Sequence, residues 1–206
     1  MSEFVSLDLE QMPYQDSYSL LTTFVQPRPI AFVSTISRSG ILNLAPFSFF
    51  MAGGSNPPSV CYSPCLNSRG EEKDSLRNVR ETGEFVINTV HRPMAHGMNA
   101  TSASFAPCES EWACSGFTQL PSEAVRPPRV EESLAQMECQ VFQIIAHGEG
   151  PSAARYVIGE VVRLHIHTDL WGDGTVDPTK LEAIGRMAGS TYVDIATLER
   201  FDMGRP

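Results

Sequence analysis

Two long runs of alternating residues, "MECQVFQIIA" (137–146) and "RYVIGEVVRLHIH" (155–167), flank the short link "HGEGPSA". Alternation at period two predicts β-strands, and a link this short and glycine-bearing predicts antiparallel pairing. The pattern recurs upstream, where "PRPIAFVSTI" (27–36) and "ILNLA" (41–45) bracket the turn "SRSG" and predict a second hairpin. Pro46 is expected to stop regular ladder pairing, and the Gly/Asn/Pro-rich stretch 46–58 to loop. "SVCYS" (59–63) and "EFVINTV" (84–90) read as further strands, and "GDG" (172–174) as a turn. Strands at short intervals with few helices predict an antiparallel barrel or sandwich rather than βαβ winding. The strands are apolar on both faces, which barrel closure, a covering partner subunit, or both would explain.

The 206 residues suit one large domain, 1–206, with no internal repeat. The segment from His91 to about Arg129 is mixed: "PMAHGMNATSA" predicts a short helix after Pro93, and Trp112 and Phe117 are expected to pack onto the main core. A net charge of −9 argues against a nucleic-acid or anionic-membrane surface. No apolar run approaches the ~18 residues of a membrane-spanning helix. Met1–Glu10 carries acids where a signal sequence would be basic and then apolar, so export is not expected. Five cysteines without regular spacing fit a reducing cytoplasm. Cys61 and Cys65 lack a second ligand pair, and no metal site is expected. His165 and His167 would share a strand face and are read as solvent-facing strand-end residues.

The usual catalytic signatures are missing, with no G-x-S-x-G elbow, P-loop, H-E-x-x-H or full dinucleotide fingerprint. One local oddity remains. In "RGEEKDSLRNVRETGEFVIN" (69–88), Asp74 reads as an N-cap, Leu76 and Val79 as an apolar stripe, and Gly83 as the helix stop before a strand. Lys73 therefore stands at a helix mouth that carries roughly +0.5 charge and disfavours cations. An anion between them would relieve this, with phosphate oxygens meeting the first N–H groups, the Ser75 hydroxyl and the lysine. The polar groups Ser34, Thr35, Asn43, Ser48, Ser63 and Ser75 admit two readings. They either satisfy local backbone groups or bind a phosphate-bearing ligand whose flat ring rests on "NLAPFSFF".

The segments "PRPIAFVSTISRSGILNLAPFSFF", "KDSLRNVRETGEFVIN", "MNATSA", "RPPRVEESLAQMEC", "VIGEVV" and "GRMAGSTY" occur in the order found in the flavin reductase-like family, including flavoredoxin-like proteins. The resemblance spans about Tyr18 to Tyr192. It implies a mainly β fold, the antiparallel split β-barrel of Greek-key type with a few short helices, and a homodimer holding FMN near the subunit interface. By motif, Ser34 and Thr35 would approach the flavin. Asn43, Ala45, Pro46, Phe47 and Ser48 would contact its ring, and Ser63, Lys73, Asp74 and Ser75 its ribityl phosphate. Arg186, with Tyr192, would line the same site, from the same subunit or the other one.

The implied activity is hydride transfer from NADH or NADPH to FMN, with reduced flavin or electrons passing to a partner monooxygenase or other redox acceptor. The alternative is an FMN-carrying electron-transfer protein with little reductase turnover. Many short relatives carry a histidine just before the "VIGEV"-type strand; here Arg155 and Tyr156 stand there, with His147 earlier. No obligatory catalytic side chain is expected, because the flavin carries the electronic change.

Overall fold

Helix α1 (Tyr14–Phe24) precedes four strands in quick succession, β1 (Ala31–Ile36), β2 (Leu42–Phe47), β3 (Phe50–Ser55) and β4 (Pro58–Tyr62). Helix α2 (Asp74–Thr82) leads into β5 (Glu84–Asn88), and α3 (Ala95–Ala100) and α4 (Trp112–Ser115) follow. A small pair, β6 (Gln119–Leu120) and β7 (Arg129–Val130), precedes the long hairpin β8 (Ala135–His147) and β9 (Ala154–Ile166). The chain ends with the pair β10 (Trp171–Gly172) and β11 (Thr175–Val176) and the three-stranded sheet β12 (Ile184–Arg186), β13 (Thr191–Asp194) and β14 (Arg200–Asp202). This computed structural model describes residues 3–106, 109–172 and 174–204. Cys108, and Asp173 of the expected Gly172–Gly174 turn, lie outside the described residues. No helix among the described residues is long and apolar enough to cross a membrane.

The main sheet is antiparallel, in the order β2-β1-β5-β8-β9-β4-β3. Its two edge strands, β2 and β3, are separated by only Ser48 and Phe49. Laid flat, seven strands would hold their edges roughly 29 Å apart. Three Cα steps reach at most about 11 Å. The sheet must therefore curl until its edges meet, which makes it a barrel with a split at that corner.

Closure gives β1 two buried faces. Ala31 and Val33 point into the barrel with Tyr62, Leu76, Phe85 and Val157. Ile30 and Phe32 point out, into a second core with Leu44, Met98, Trp112 and Tyr192. The same chain thus covers the outer face of β1, through the middle segment and the C-terminal sheet. Trp112 is buried, and Phe117 meets Phe32 edge to face at 5.6 Å, as expected of both. The outer face of the far side stays open: Met51, Phe142, Ile145 and Tyr156 are all exposed.

Several local expectations are corrected. Strand β2 continues through Pro46, which pairs with Phe32; at a sheet edge the outward N–H positions have no ladder partner, so a proline there loses no bond. Residues 50–55 form β3 rather than a loop, because Phe50 and Met51 pair with Tyr62 and Cys61. The glycine signal belongs to an irregularity between Ala52 and Ser55, where a Cβ on Gly53 would lie 2.6 Å from Ser59 Oγ. Lys73, not Asp74, occupies the N-cap of α2, while Gly83 closes the helix at φ 72° as expected.

His165 is not solvent-facing. Its Nε2 lies 2.6 Å from Glu138 Oε1, and Glu138 is completely buried. Burial pushes the Glu138 carboxyl up, but the N–H donors of Glu123 (2.9 Å) and Ala124 (2.6 Å), with His165, outweigh it and leave it below the usual range. The carboxylate also takes the Val125 N–H at 3.1 Å, so one side chain ties residues 123–125 to the barrel wall.

Gly159 on β9 has no room for a side chain, since a Cβ there would lie 2.4 Å from the Phe85 ring. Gly159→Val is expected to destabilise the fold by roughly 1–3 kcal/mol through overpacking. Denaturant unfolding checks this, and a loss below about 0.5 kcal/mol, the range of neutral surface changes, would refute the packing assignment.

Candidate functional site

Helix α2 docks on β1 and β2 through two polar contacts in register. Thr35 and Asn43 face each other across the β1–β2 hairpin. Ser75 and Asn78, three residues apart, share one face of the helix. Asn78 Nδ2 donates to Thr35 Oγ1 at 3.0 Å, and the Asn43 amide lies 2.8 Å from Ser75 Oγ. All four are buried. Thr35 is therefore a satisfied docking residue. Ser34 points to the opposite face by strand alternation, is fully buried, and its hydroxyl has no hydrogen-bond partner among the described residues.

A residue that sequence reasoning missed completes this cluster. Glu111, at the start of α4, is 6 % exposed and its Oε2 accepts the Leu44 N–H at 3.0 Å, covering a free N–H of the edge strand. The Asn43 amide lies 2.9 Å from Glu111 Oε1 on one side and 2.8 Å from Ser75 Oγ on the other. An ionised carboxylate only accepts, so the amide turns its nitrogen to Glu111 and its oxygen receives the Ser75 hydroxyl proton. Burial pushes the Glu111 carboxyl up, against the lowering effect of its backbone donors.

At the mouth of α2, the Lys73 ammonium lies over the Phe47 ring, 5.6 Å from its centroid. Asp74 pairs with Arg77 one turn on. The Leu76 and Arg77 N–H groups donate to the Lys73 carbonyl at 3.0 and 3.1 Å. Asn43, Asp74, Arg77 and Asn78 line a cleft of about 140 Å³ together with Ser37, Ser39 and Glu109. Ala45 is half-buried against the barrel core. Ser63 is buried just beyond β4, where its hydroxyl accepts the Arg155 N–H at 3.3 Å and lies 3.5 Å from Cys65 Sγ. His147, across the long hairpin, stacks on Tyr156 with ring centroids 6.3 Å apart.

The other end of β2 is held by a second missed residue. Arg28 is buried, and its guanidinium donates to the carbonyls of Thr22, Val25 and Met187 at 2.8–2.9 Å. Its Nε reaches Ser48 Oγ at 3.4 Å. Burial lowers the Arg28 pKa. Arg28 and Arg186 also exchange backbone hydrogen bonds of 2.9 and 2.8 Å, so Arg186 is tied to the Ser48 corner within one chain. The Arg186 guanidinium lies over the Tyr192 ring and bonds its hydroxyl and the Gly189 carbonyl. The sequence-predicted residues thus fall into a Thr35–Asn43–Ser75 cluster beside Phe47 and Lys73, a Ser63 position near Arg155, and a Ser48–Arg186 corner joined by Arg28.

A curled antiparallel sheet split at one corner, with polar groups gathered along β2 and the start of α2, defines the class: a split-barrel protein. More narrowly, the chain belongs to the flavin reductase-like domain family, whose model matches residues 25–180. It is similar to a solved structure of nitrilotriacetate monooxygenase component B from Bacillus cereus, at 33% identity and TM-score 0.86, covering 100% of this chain and 98% of that one. It is also similar to 2-nitrobenzoate 2-nitroreductase from Pseudomonas fluorescens, at 27% identity and TM-score 0.83, covering 98% and 96%. An uncharacterized protein of Halalkalibacterium halodurans is 37% identical over 204 residues, covering 98% of this chain and 97% of that protein.

Because the Glu111 carboxyl is raised in the folded state, the native protein binds that proton more tightly than the unfolded chain. Its contribution to stability is greatest at low pH and declines as pH rises from the ordinary value of 4.5 through the raised one. The melting temperature of Glu111→Gln minus that of the unmodified protein is expected to rise over this window. Paired thermal melts across pH check it, and a difference independent of pH would remove the assignment.

Proposed function

We propose that this protein is an FMN-binding oxidoreductase that takes hydride from NADH or NADPH and passes reduced flavin or electrons to an acceptor, such as a partner monooxygenase. The observation that carries this reading is the juxtaposition of Lys73, Phe47 and the first turn of α2 within a family-matched split barrel. Two features of the residues fit FMN. The start of α2 offers N–H groups and a favourable dipole to a phosphate, and Lys73 adds a compact cation at the same place. The edge strand β2 from Asn43 to Ser48 offers outward backbone groups, and Arg28 and Asn43 hold its two ends.

When bound, FMN would supply the two-electron chemistry. The chain's own groups bind and orient: Lys73 and the α2 start hold the phosphate, Ala45–Ser48 seat the ring, and the Arg28 guanidinium keeps the Ser48 corner in place. Asp74 is spent on Arg77, which keeps its charge from repelling the phosphate. No side chain is assigned as acid or base.

The exposed apolar residues Met51, Phe142, Ile145 and Tyr156 on the open barrel face support a homodimer.

Two measurements test this reading. The purified protein with FMN is expected to show a flavin absorbance band that bleaches with NADH or NADPH. A persistent band with both nucleotides would favour an electron carrier, and no flavin retained by the protein after unbound FMN is removed would end the proposal. Lys73→Glu is expected to weaken FMN binding by about 1 kcal/mol or more, the scale of a charge-assisted hydrogen bond. Unchanged affinity in a folded variant would remove Lys73 from the site.

A further inference from the structure

The cluster Glu111–Asn43–Ser75 has two self-consistent hydrogen-bond arrangements on the same heavy-atom positions. With Glu111 ionised, the Asn43 nitrogen donates to Glu111 Oε1 at 2.9 Å and the Asn43 oxygen accepts the Ser75 hydroxyl proton at 2.8 Å. With a proton on Oε1, Glu111 donates to the Asn43 oxygen. The amide then presents its nitrogen to Ser75 Oγ across the same 2.8 Å. Glu111 Oε2 keeps the Leu44 N–H at 3.0 Å in both. The side-chain amide of Asn43 turns over, exchanging its nitrogen and oxygen, and the direction of donation reverses with it. In the first arrangement the Ser75 proton is spent inside the protein; in the second it is available at the start of α2.

We infer that Glu111 is a positioning residue whose protonation sets the polarity of the Ser75 hydroxyl, so that binding of an anionic group at the start of α2 is linked to uptake of one proton from solvent onto Glu111. This rests on the reading of that helix start as the FMN phosphate site. An amide donates from one end and accepts at the other, so a proton at one end of such a chain is felt at the other through a half-turn of the side-chain amide, without movement of the backbone. Burial of Glu111 favours its neutral form and brings the exchange closer to working pH. The groups facing the carboxylate are the Asn43 amide and Leu44 N–H from β2, its own backbone N–H, and on α4 the Cys114 thiol, which donates to the Glu111 carbonyl. The charged groups around the adjoining cleft are Asp74, Arg77 and Glu81 of α2, and Glu109.

Glutamine at position 111 reproduces the protonated pattern: its oxygen can accept the Leu44 N–H while its amide nitrogen donates to Asn43. The test is FMN affinity against pH, by titration, for the unmodified full-length protein, Glu111→Gln, Ser75→Ala and the double variant. Identical conditions cancel the titration of the FMN phosphate itself. Glu111→Gln is expected to bind FMN about tenfold more tightly than the unmodified protein at alkaline pH, with the two converging as pH falls. Ser75→Ala is expected to abolish that difference, making the two substitutions non-additive.

Parallel pH profiles, weaker binding by Glu111→Gln at every pH, or additive effects would overturn the inference while leaving the FMN reading intact. If Glu111→Gln does not fold, the comparison of Ser75→Ala with the unmodified protein decides alone. A retained pH profile in Ser75→Ala would overturn the inference, and a flattened one would support it. Failure of the unmodified protein to bind FMN at any pH would overturn both.

Discussion

The link Ser48–Phe49 carries the chain between the two edges of a seven-stranded sheet. Everything else is arranged around meeting that constraint. Two residues cannot cross a flat sheet, so closure is covalently enforced rather than left to side-chain packing. Closure gives β1 an inner core and an outer core, and it draws the middle segment and the C-terminal strands onto the outer face. It also leaves β2 as an edge whose outward groups must be satisfied by something. Glu111 takes one of them, at Leu44, and the others are the groups that a ligand could use.

Helix α2 shows how a docking contact and the proposed phosphate-binding element share residues. Ser75 and Asn78 are placed on the helix to meet Asn43 and Thr35, which are partners across the hairpin. That pairing fixes the helix along its axis, since a slip of one residue would break both contacts. The consequence is that the first turn of α2, with Lys73 over Phe47, is held in a defined position beside β2. A buried polar network of this kind specifies a unique arrangement because leaving any member unpaired is costly.

Much of the architecture was legible in advance. Alternation gave the long hairpin, the Ser/Gly turn gave the first one, and Gly83 marked the helix end. The same local signals misled where their meaning depends on position in the sheet. Pro46 disrupts a central strand but not an edge strand, and the glycines near residue 53 mark an irregular strand rather than a loop. His165, expected to be solvent-facing, closes over the buried Glu138 because a carboxylate on the strand beside it needs donors.

The sequence by itself determined the strand-rich class, the turn positions, the helix bearing Lys73 and the family pattern, because each is written in local periodicity or in a short ordered motif. Only the tertiary structure decided which polar groups are already spent. Glu111 and Asn43 stand 68 positions apart, Arg28 and Met187 159, and Glu138 meets His165 from a different strand. Such pairings follow from register and barrel closure, which bring distant residues to hydrogen-bond distance without leaving a periodic trace in the chain. That is why Thr35 and Ser75 look alike in the sequence, while in the fold Thr35 is a fixed docking contact and Ser75 lies at the end of a relay that begins at Glu111.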